Sequence, residues 1–107
     1  MLSPLTQACV DGDLNRVLQL YRLGIFSLET PLLHACFHDR LQICKLLVER
    51  GANIHASEDV CFRIACLKGN LEVAMWLHSL GGTDLNARCG EVWKSKDERV
   101  IMWLKSL

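Results

Sequence analysis

The dipeptide Ala-Cys occurs three times in this chain, and the spacing of the copies constrains the fold more than any other feature. The copies begin at Ala8, Ala35 and Ala65, so they lie 27 and 30 residues apart. In each copy a leucine follows the cysteine after five residues, a second leucine after eleven, and a glycine after fifteen. Self-similarity at this period indicates an array of small structural units in which each unit packs on the next.

The start of each unit has the pattern of a short helix. Pro4 and Pro31 suit the first helical position, because the amide hydrogen that proline lacks would have no partner there. The preceding Ser3 and Thr30 are therefore predicted to be the N-caps of the two helices.

A second helix is predicted to follow in each unit. Its apolar residues recur at every third position, as at Leu14, Val17 and Leu20, or at Leu71, Ala74 and Leu77. This spacing gives each helix one apolar stripe. A pair of such helices buries its stripes only when the pairs stack.

A fourth, weaker unit closes the chain. The segment at 75–80, MWLHSL, returns 27 residues later at 102–107 as MWLKSL. In this alignment Trp93 takes the place of Cys66. Only the second helix of the fourth unit matches the pattern of the other units well. The last helix also carries an apolar run at 100–104. Trp93 and Trp103 are expected either to seal the core or to contact a partner or a second copy of the chain.

Composition favours one folded domain. Of the 107 residues, 50% are hydrophobic and 22% are charged, with a formal net charge of +0. The absence of a basic excess disfavours nucleic acid as a partner. No apolar run approaches the roughly 20 residues of a membrane-spanning helix. The first residues, MLSPLTQACVDGD, do not have the pattern of a signal peptide, so a cytoplasmic or nuclear location is expected.

Three stretches that recur in the units resemble the ankyrin repeat. They are TPLLHA at 30–35, GNLEV at 69–73 and GANIHA at 51–56, and the resemblance covers nearly the whole chain. It implies an all-α solenoid of stacked helix-turn-helix pairs within a single domain. The implied repeats lie at about 3–28, 29–58 and 59–87, followed by a degenerate capping repeat at 88–107. The resemblance also implies a non-catalytic protein that binds another protein.

The chain departs from the family pattern in its period. Ankyrin repeats recur about every 33 residues, whereas these units are 27 and 30 residues apart. The hairpin finger of the family is therefore expected to be shortened between residues 24 and 30, and again around 90–96. The 30-residue spacing and the sequence pattern LEVxxWLxSLGG resemble those of the ankyrin arrays of large DNA viruses of amoebae.

The resemblance also implies where a partner would bind. In ankyrin arrays, the two positions after the small-residue pair face the concave surface. In this chain they form an apolar column and a polar column, made of Val10, Phe37 and Leu67, and of Asp11, His38 and Lys68. The alternative is that the apolar column merely packs against the neighbouring unit. An acidic finger tip, Glu58 and Asp59, is a second candidate, and an ordinary solvated turn is its alternative.

The histidines and cysteines raise the possibility of a metal or thiol site. His34 and His38 are one helical turn apart with Cys36 between them, a spacing that can hold zinc. However, Cys36 aligns with Cys9 and Cys66, where the family has a small buried residue, and no C-x-x-C motif occurs. We therefore predict core cysteines, no metal and no cofactor. Cys44 aligns with apolar residues, and no catalytic motif is present. A thiol- or zinc-dependent regulatory protein, or a structural protein that self-associates weakly through its last helix, stays as the alternative.

Overall fold

The computed structural model describes residues 2–22, 27–83, 85 and 90–107. Every regular element in these ranges is helical, which confirms the predicted all-α fold. The α-helices are α1 (Pro4–Asp11), α2 (Leu14–Arg22), α3 (Glu29–Phe37), α4 (Leu41–Glu49), α5 (Ala56–Leu67), α6 (Leu71–Ser79) and α7 (Glu98–Ser106), and a 3₁₀ helix spans Glu91–Lys94.

The helices form two layers along an elongated body of 42 × 25 × 21 Å. In one layer α1 contacts α3, α3 contacts α5, and α5 contacts the 3₁₀ helix; in the other, α2 contacts α4 and α4 contacts α6. The pairs α1–α2, α3–α4 and α5–α6 are units one, two and three, and the 3₁₀ helix with α7 is unit four. Within the described ranges, no helix is long and apolar enough to cross a membrane.

The N-caps of α1 and α3 agree only partly with those predicted from the sequence. Ser3 caps α1 as predicted, because its Oγ accepts a hydrogen bond of 3.2 Å from the Thr6 amide. The prediction that Thr30 caps α3 is wrong, since α3 begins one residue earlier, at Glu29, after Leu28. Pro31 then lies third in the helix, where its missing amide hydrogen still costs no intrahelical bond.

The turn between the two helices of each unit has one conformation in all three units. Gly12, Asp39 and Gly69 occupy equivalent positions, and each has a left-handed backbone, with φ of 75°, 59° and 73°. Aspartate tolerates this conformation better than most residues with a side chain. The structure therefore confirms the alignment, including the unit in which no glycine is present.

The three Ala-Cys pairs lie at the centre of the core. All six residues are buried to within 1% exposure, and the pairs lie in α1, α3 and α5. Small side chains at these positions let consecutive first helices approach each other closely. Val17, Ala74 and Leu77 are also buried as predicted, but Leu14 is exposed. It is the first residue of α2, and it lines an open cleft beside the 39–43 segment instead of entering the core.

Unit four differs from the others in its first element. A 3₁₀ helix of four residues stands where units one to three have an α-helix. Val92 is fully buried, whereas Trp93 is 41% exposed. The aligned tryptophan therefore does not occupy the buried position that Cys66 has in unit three. Trp103 is half-buried and packs edge-on against Phe62, with ring centroids 6.1 Å apart.

The finger that the sequence predicts to be shortened between units one and two falls largely on residues 23–26, which lie outside the described residues. In unit three the finger is described. It is the first turn of α5, and its backbone is left-handed at Ser57, Glu58 and Asp59, with φ of 54°, 58° and 58°.

Candidate partner-binding surface

The six residues predicted to face a partner lie at the C-terminal ends of the three first helices. Four of them are exposed and two are half-buried. We call this set the first-helix surface: Val10, Asp11, Phe37, His38, Leu67 and Lys68.

Phe37 is the most exposed apolar side chain of this surface, with 39% of its area accessible. The Lys68 Nζ lies 4.6 Å from the centre of the Phe37 ring. The His38 ring also lies beside the Phe37 ring, and the two ring centroids are 4.9 Å apart. The structure therefore brings Phe37, His38 and Lys68 together across units two and three. A cation over an exposed aromatic ring contributes about 0.5–1 kcal/mol, so the apolar and polar columns join here into one cluster.

Asp11 and Val10 are less closely joined to this cluster. The Asp11 carboxylate accepts a hydrogen bond of 3.0 Å from the Gln7 side chain within α1. Val10 and Leu67 are half-buried, so part of each packs against its surroundings, as the alternative interpretation of the apolar column expected. Phe37 is thus the residue of that column that most plainly offers a contact area.

Polar side chains from the next unit hold the ends of the first helices in place. Asn70 Nδ2 donates to the carbonyl oxygens of Cys36 and Phe37, at 2.8 and 3.0 Å. Arg40 Nε donates to the Val10 carbonyl at 3.1 Å. These bonds supplement the ends of the helices, where the last carbonyls lack intrahelical partners. The Cys36 carbonyl also accepts a bond of 3.4 Å from the Asp39 amide.

A buried serine of unit four binds the end of the first helix of unit three in the same way. Ser95 Oγ donates to the carbonyl oxygen of Cys66 at 2.7 Å. None of these contacts was predicted from the sequence. Arg40 and Asn70 do align with each other, but their residue types differ, and the only signal was a polar residue directly before the second helix.

The finger of unit three is held from within by Arg63. This side chain is buried, and it donates to the carbonyl oxygens of Ser57 and Glu58 at 2.9 and 3.0 Å. It also forms a salt bridge of 3.1 Å with Glu91 in unit four. The role of Arg63 was not predicted from the sequence either, although a charged residue aligned with Thr6 and Leu33 could have indicated it.

The finger tip is less acidic than predicted. Glu58 is exposed, but Asp59 is only 5% exposed and pairs with Nδ1 of His55. The three left-handed residues turn the chain so that the Asp59 carboxylate returns toward His55 rather than facing solvent. The prediction that Asp59 offers an accessible contact is therefore wrong, and Glu58 is the acidic residue of the tip.

The cysteines lie inside the protein, which confirms the core positions predicted for Cys9, Cys36, Cys44 and Cys66. Burial raises the pKa of both Cys9 and Cys66 to about 12, so these thiols stay protonated at neutral pH. Cys89 lies outside the described residues.

Among the described residues, the two histidines of the candidate zinc motif have no further metal ligands grouped with them. His34 is half-buried and His38 is exposed. Among the residues that the structure describes, no three side chains of the types His, Cys, Asp and Glu form a group that could hold a metal ion.

Comparison with known families agrees with this architecture. The family model for ankyrin repeats in three copies matches residues 5–89. A search of curated proteins finds no match to this chain. The family match covers more than half of the sequence and coincides with the three helix pairs, so the chain belongs to the ankyrin repeat family.

Proposed function

We propose that this chain binds a partner protein through its first-helix surface and carries out no catalysis itself. Ankyrin repeats are generally protein–protein interaction modules, and the family is typically non-catalytic. The observation that carries the proposal is the exposed Phe37 ring with Lys68 against it and His38 beside it.

Phe37 has the properties of an interface anchor. It follows the fully buried Cys36, and Asn70 holds its carbonyl, so its backbone is ordered before any partner arrives. Ordering before binding reduces the entropy cost of association. Aromatic side chains at the centre of an interface often carry much of the binding free energy.

The charges around Phe37 indicate what the partner presents. Within the described part of the chain, Lys68 forms no salt bridge, so its ammonium group is available. We infer a partner segment with an apolar side chain to cover the ring and a carboxylate to pair with Lys68. The exposed Glu58 at the finger tip supplies a second, acidic contact in this proposal.

Affinity capture from a eukaryotic cell lysate tests the proposal. The wild type is compared with the double variant Phe37→Asp, Lys68→Glu, in which both features of the cluster are reversed. The matched control is Met75→Asp, because Met75 is 45% exposed but lies in α6, in the layer of second helices. Circular dichroism first verifies that all three proteins are folded.

The expected result is a protein retained by the wild type and by Met75→Asp but lost from the double variant. Retention of the same proteins by all three chains would count against the first-helix surface. Loss from both variants would also contradict the proposal, because it would show that the surface around Phe37 is not specifically required.

Self-association through α7 is the second candidate, and the exposure of Met102 favours it. This side chain is 71% exposed, beside Ile101 in an open cleft of about 240 Å³ between α7 and the segment that precedes it. Light scattering across a dilution series tests this candidate. A mass that falls on dilution, and that Met102→Glu reduces to the monomer value, would support it; a constant monomer mass would exclude it.

A further inference from the structure

The finger of unit three has a strained backbone. Ser57, Glu58 and Asp59 are consecutive, all three are left-handed, and none of them is glycine. In L-residues this conformation brings the side chain too close to the backbone carbonyl oxygen, so a run of three such residues is strained. The same residues could continue α5 as a right-handed helix without that strain. Contacts from other parts of the protein must therefore hold the finger in its left-handed form.

Arg63 supplies two of these contacts. Its Nε donates to the Glu58 carbonyl oxygen at 3.0 Å, and its Nη2 donates to the Ser57 carbonyl oxygen at 2.9 Å. In a right-handed helix these two carbonyls would point along the helix axis, toward the amides four residues later. The two bonds from Arg63 therefore stabilise the left-handed form of the finger and not the right-handed one.

Glu91, in the 3₁₀ helix of unit four, holds Arg63 in this orientation. Nη1 of Arg63 donates to Oε1 of Glu91 at 3.1 Å. The guanidinium group is planar and rigid, so a bond on Nη1 also sets the direction in which Nε and Nη2 donate. Arg63 is only 7% exposed, and a buried charge that loses its charge partner is strongly destabilised. Removal of the Glu91 carboxylate should therefore move Arg63 toward water and release both carbonyls of the finger.

We propose that unit four controls the conformation of the finger through Arg63. While the Arg63–Glu91 salt bridge is closed, the three residues of the finger stay left-handed; when it opens, the strained backbone relaxes. The residues aligned with Arg63 in units one and two are Thr6 and Leu33, and neither is charged. The device is therefore specific to the end of the array formed by units three and four.

The device couples the finger tip to unit four. Glu58 is exposed, so the position in which it meets a partner depends on the state of the salt bridge. Because coupling between two sites is reciprocal, a partner that contacts the closed finger also stabilises the salt bridge to unit four. This coupling goes beyond the proposed binding of a partner protein, and it is measured on the isolated chain.

Cleavage by a glutamate-specific protease tests the proposal. The enzyme cuts after Glu58 only when the local backbone opens, so the rate of this cut reports the opening of the finger. The products are residues 1–58 and 59–107. Cleavage after Glu49, in α4 of unit two, is the internal reference, because an unchanged rate there shows that the array has stayed folded.

The main variant is Glu91→Ala. It should raise the rate of cleavage after Glu58 at least about tenfold, since a hydrogen bond to a charged group is lost. Glu91→Gln keeps an oxygen that can accept from Arg63 but lacks the charge, so its effect should be smaller. The matched control is Glu98→Ala, which removes an exposed glutamate of the same unit that forms no salt bridge within the described residues. It should be cleaved like the wild type.

Two further variants separate this device from a general loosening of unit four. Arg63→Met removes the bonds to the finger but keeps an unbranched side chain, and it should be cleaved as fast as Glu91→Ala. Combining the two changes should give no further increase, because both break the same link. Ser57→Gly should slow the cleavage of Glu91→Ala, because glycine adopts the left-handed conformation without strain. This rescue carries the test should Arg63→Met fail to fold.

Four results would overturn the proposal. The first is equal cleavage of the wild type and Glu91→Ala after Glu58. The second is an equal increase in Glu91→Ala and Glu98→Ala, which would show a general loosening of unit four. The third is additive increases from Arg63→Met and Glu91→Ala, which would show that Glu91 acts by another route. The fourth is a Ser57→Gly change that leaves cleavage as fast as before, which would show that backbone strain does not open the finger.

Discussion

Units three and four are built from similar sequence but differ in their first element. In unit three, Ala65 and Cys66 are fully buried in an α-helix of the stacked layer. In unit four, the equivalent positions are Val92, which is fully buried in a 3₁₀ helix, and Trp93, which is 41% exposed. The first position of the pair is thus buried in both units, whereas the second is buried in unit three and exposed in unit four.

The difference shows which property of the pair the array requires. The first position accepts a side chain of moderate size, since valine fills it in unit four. The second lies where consecutive first helices meet, and a tryptophan does not fit there. The segment forms a shorter helix that turns the indole outward, and Ser95 then takes over the contact to the Cys66 carbonyl.

The largest expected effect comes from moving the tryptophan into unit three. Cys66→Trp inserts a large ring into a closely packed core, and overpacking of this kind should reduce the free energy of unfolding by about 3 kcal/mol or more. Trp93→Cys, at an exposed position, should change it by less than about 1 kcal/mol. Urea denaturation of both variants measures the difference. Similar losses for the two would show that the position after the alanine is not size-limited.

The next largest loss of stability is expected in the second helices of the same two units. Leu77 and Leu104 align and are both buried, but Leu77 lies in α6 of unit three, inside the array, whereas Leu104 lies in α7, the last helix of the described structure. We expect Leu77→Ala to lose about 3–4 kcal/mol and Leu104→Ala about 2 kcal/mol. Because an array can open locally from one unit, Leu104→Ala should also lower the urea m-value. Equal losses with unchanged m-values would mean that unit four unfolds together with the rest.

The contrast between the units explains how much of the fold the sequence could predict. The buried Ala-Cys columns and the turn at Gly12, Asp39 and Gly69 were predictable, because the same residue sizes recur at a fixed spacing. The outward position of Trp93 was not, since an alignment carries no information on whether a larger side chain fits. Likewise, the start of α3 at Glu29 was not predictable from the aligned Ser-Pro and Thr-Pro sequences, because they occupy different positions at the starts of α1 and α3.

The candidate site was predictable to a similar degree. The family resemblance predicted the positions of Phe37 and Lys68, but not that the ammonium group lies against the ring. The contacts from Arg40, Asn70 and Ser95 bind backbone carbonyls, and any donor of suitable length can make such a bond. These contacts therefore leave no repeated residue type in the sequence from which they could be predicted. The burial of Asp59 follows from a left-handed turn whose carbonyls accept hydrogen bonds from Arg63, and the pattern of apolar residues does not indicate such a turn.

The hydrogen bonds to the first helices should differ in strength between the ends of the array. Ser95→Ala removes the shorter of two hydrogen bonds to the buried Cys66 carbonyl, which keeps the 3.2 Å bond from the Gly69 amide, and we expect a loss of about 1–1.5 kcal/mol. Arg40→Ala removes an exposed bond to the Val10 carbonyl that water can replace, so the loss should be about 0.5 kcal/mol. Thermal and urea denaturation measure both. A larger loss for Arg40→Ala would show that the exposed bond is the more important of the two.

The smallest expected effect tests the helix starts of units one and two. Ser3 caps α1 through its hydroxyl, so Ser3→Ala should reduce the free energy of unfolding by about 1 kcal/mol. Thr30 lies inside α3 and makes no capping bond, so Thr30→Ala should change stability by less than about 0.5 kcal/mol. The aligned Ser-Pro and Thr-Pro sequences predict equal losses, whereas the structure predicts that only the serine matters. Urea denaturation of the two variants under the same conditions separates these expectations. Equal losses would place the start of α3 at Pro31 and restore the alignment of the two units at their first residues.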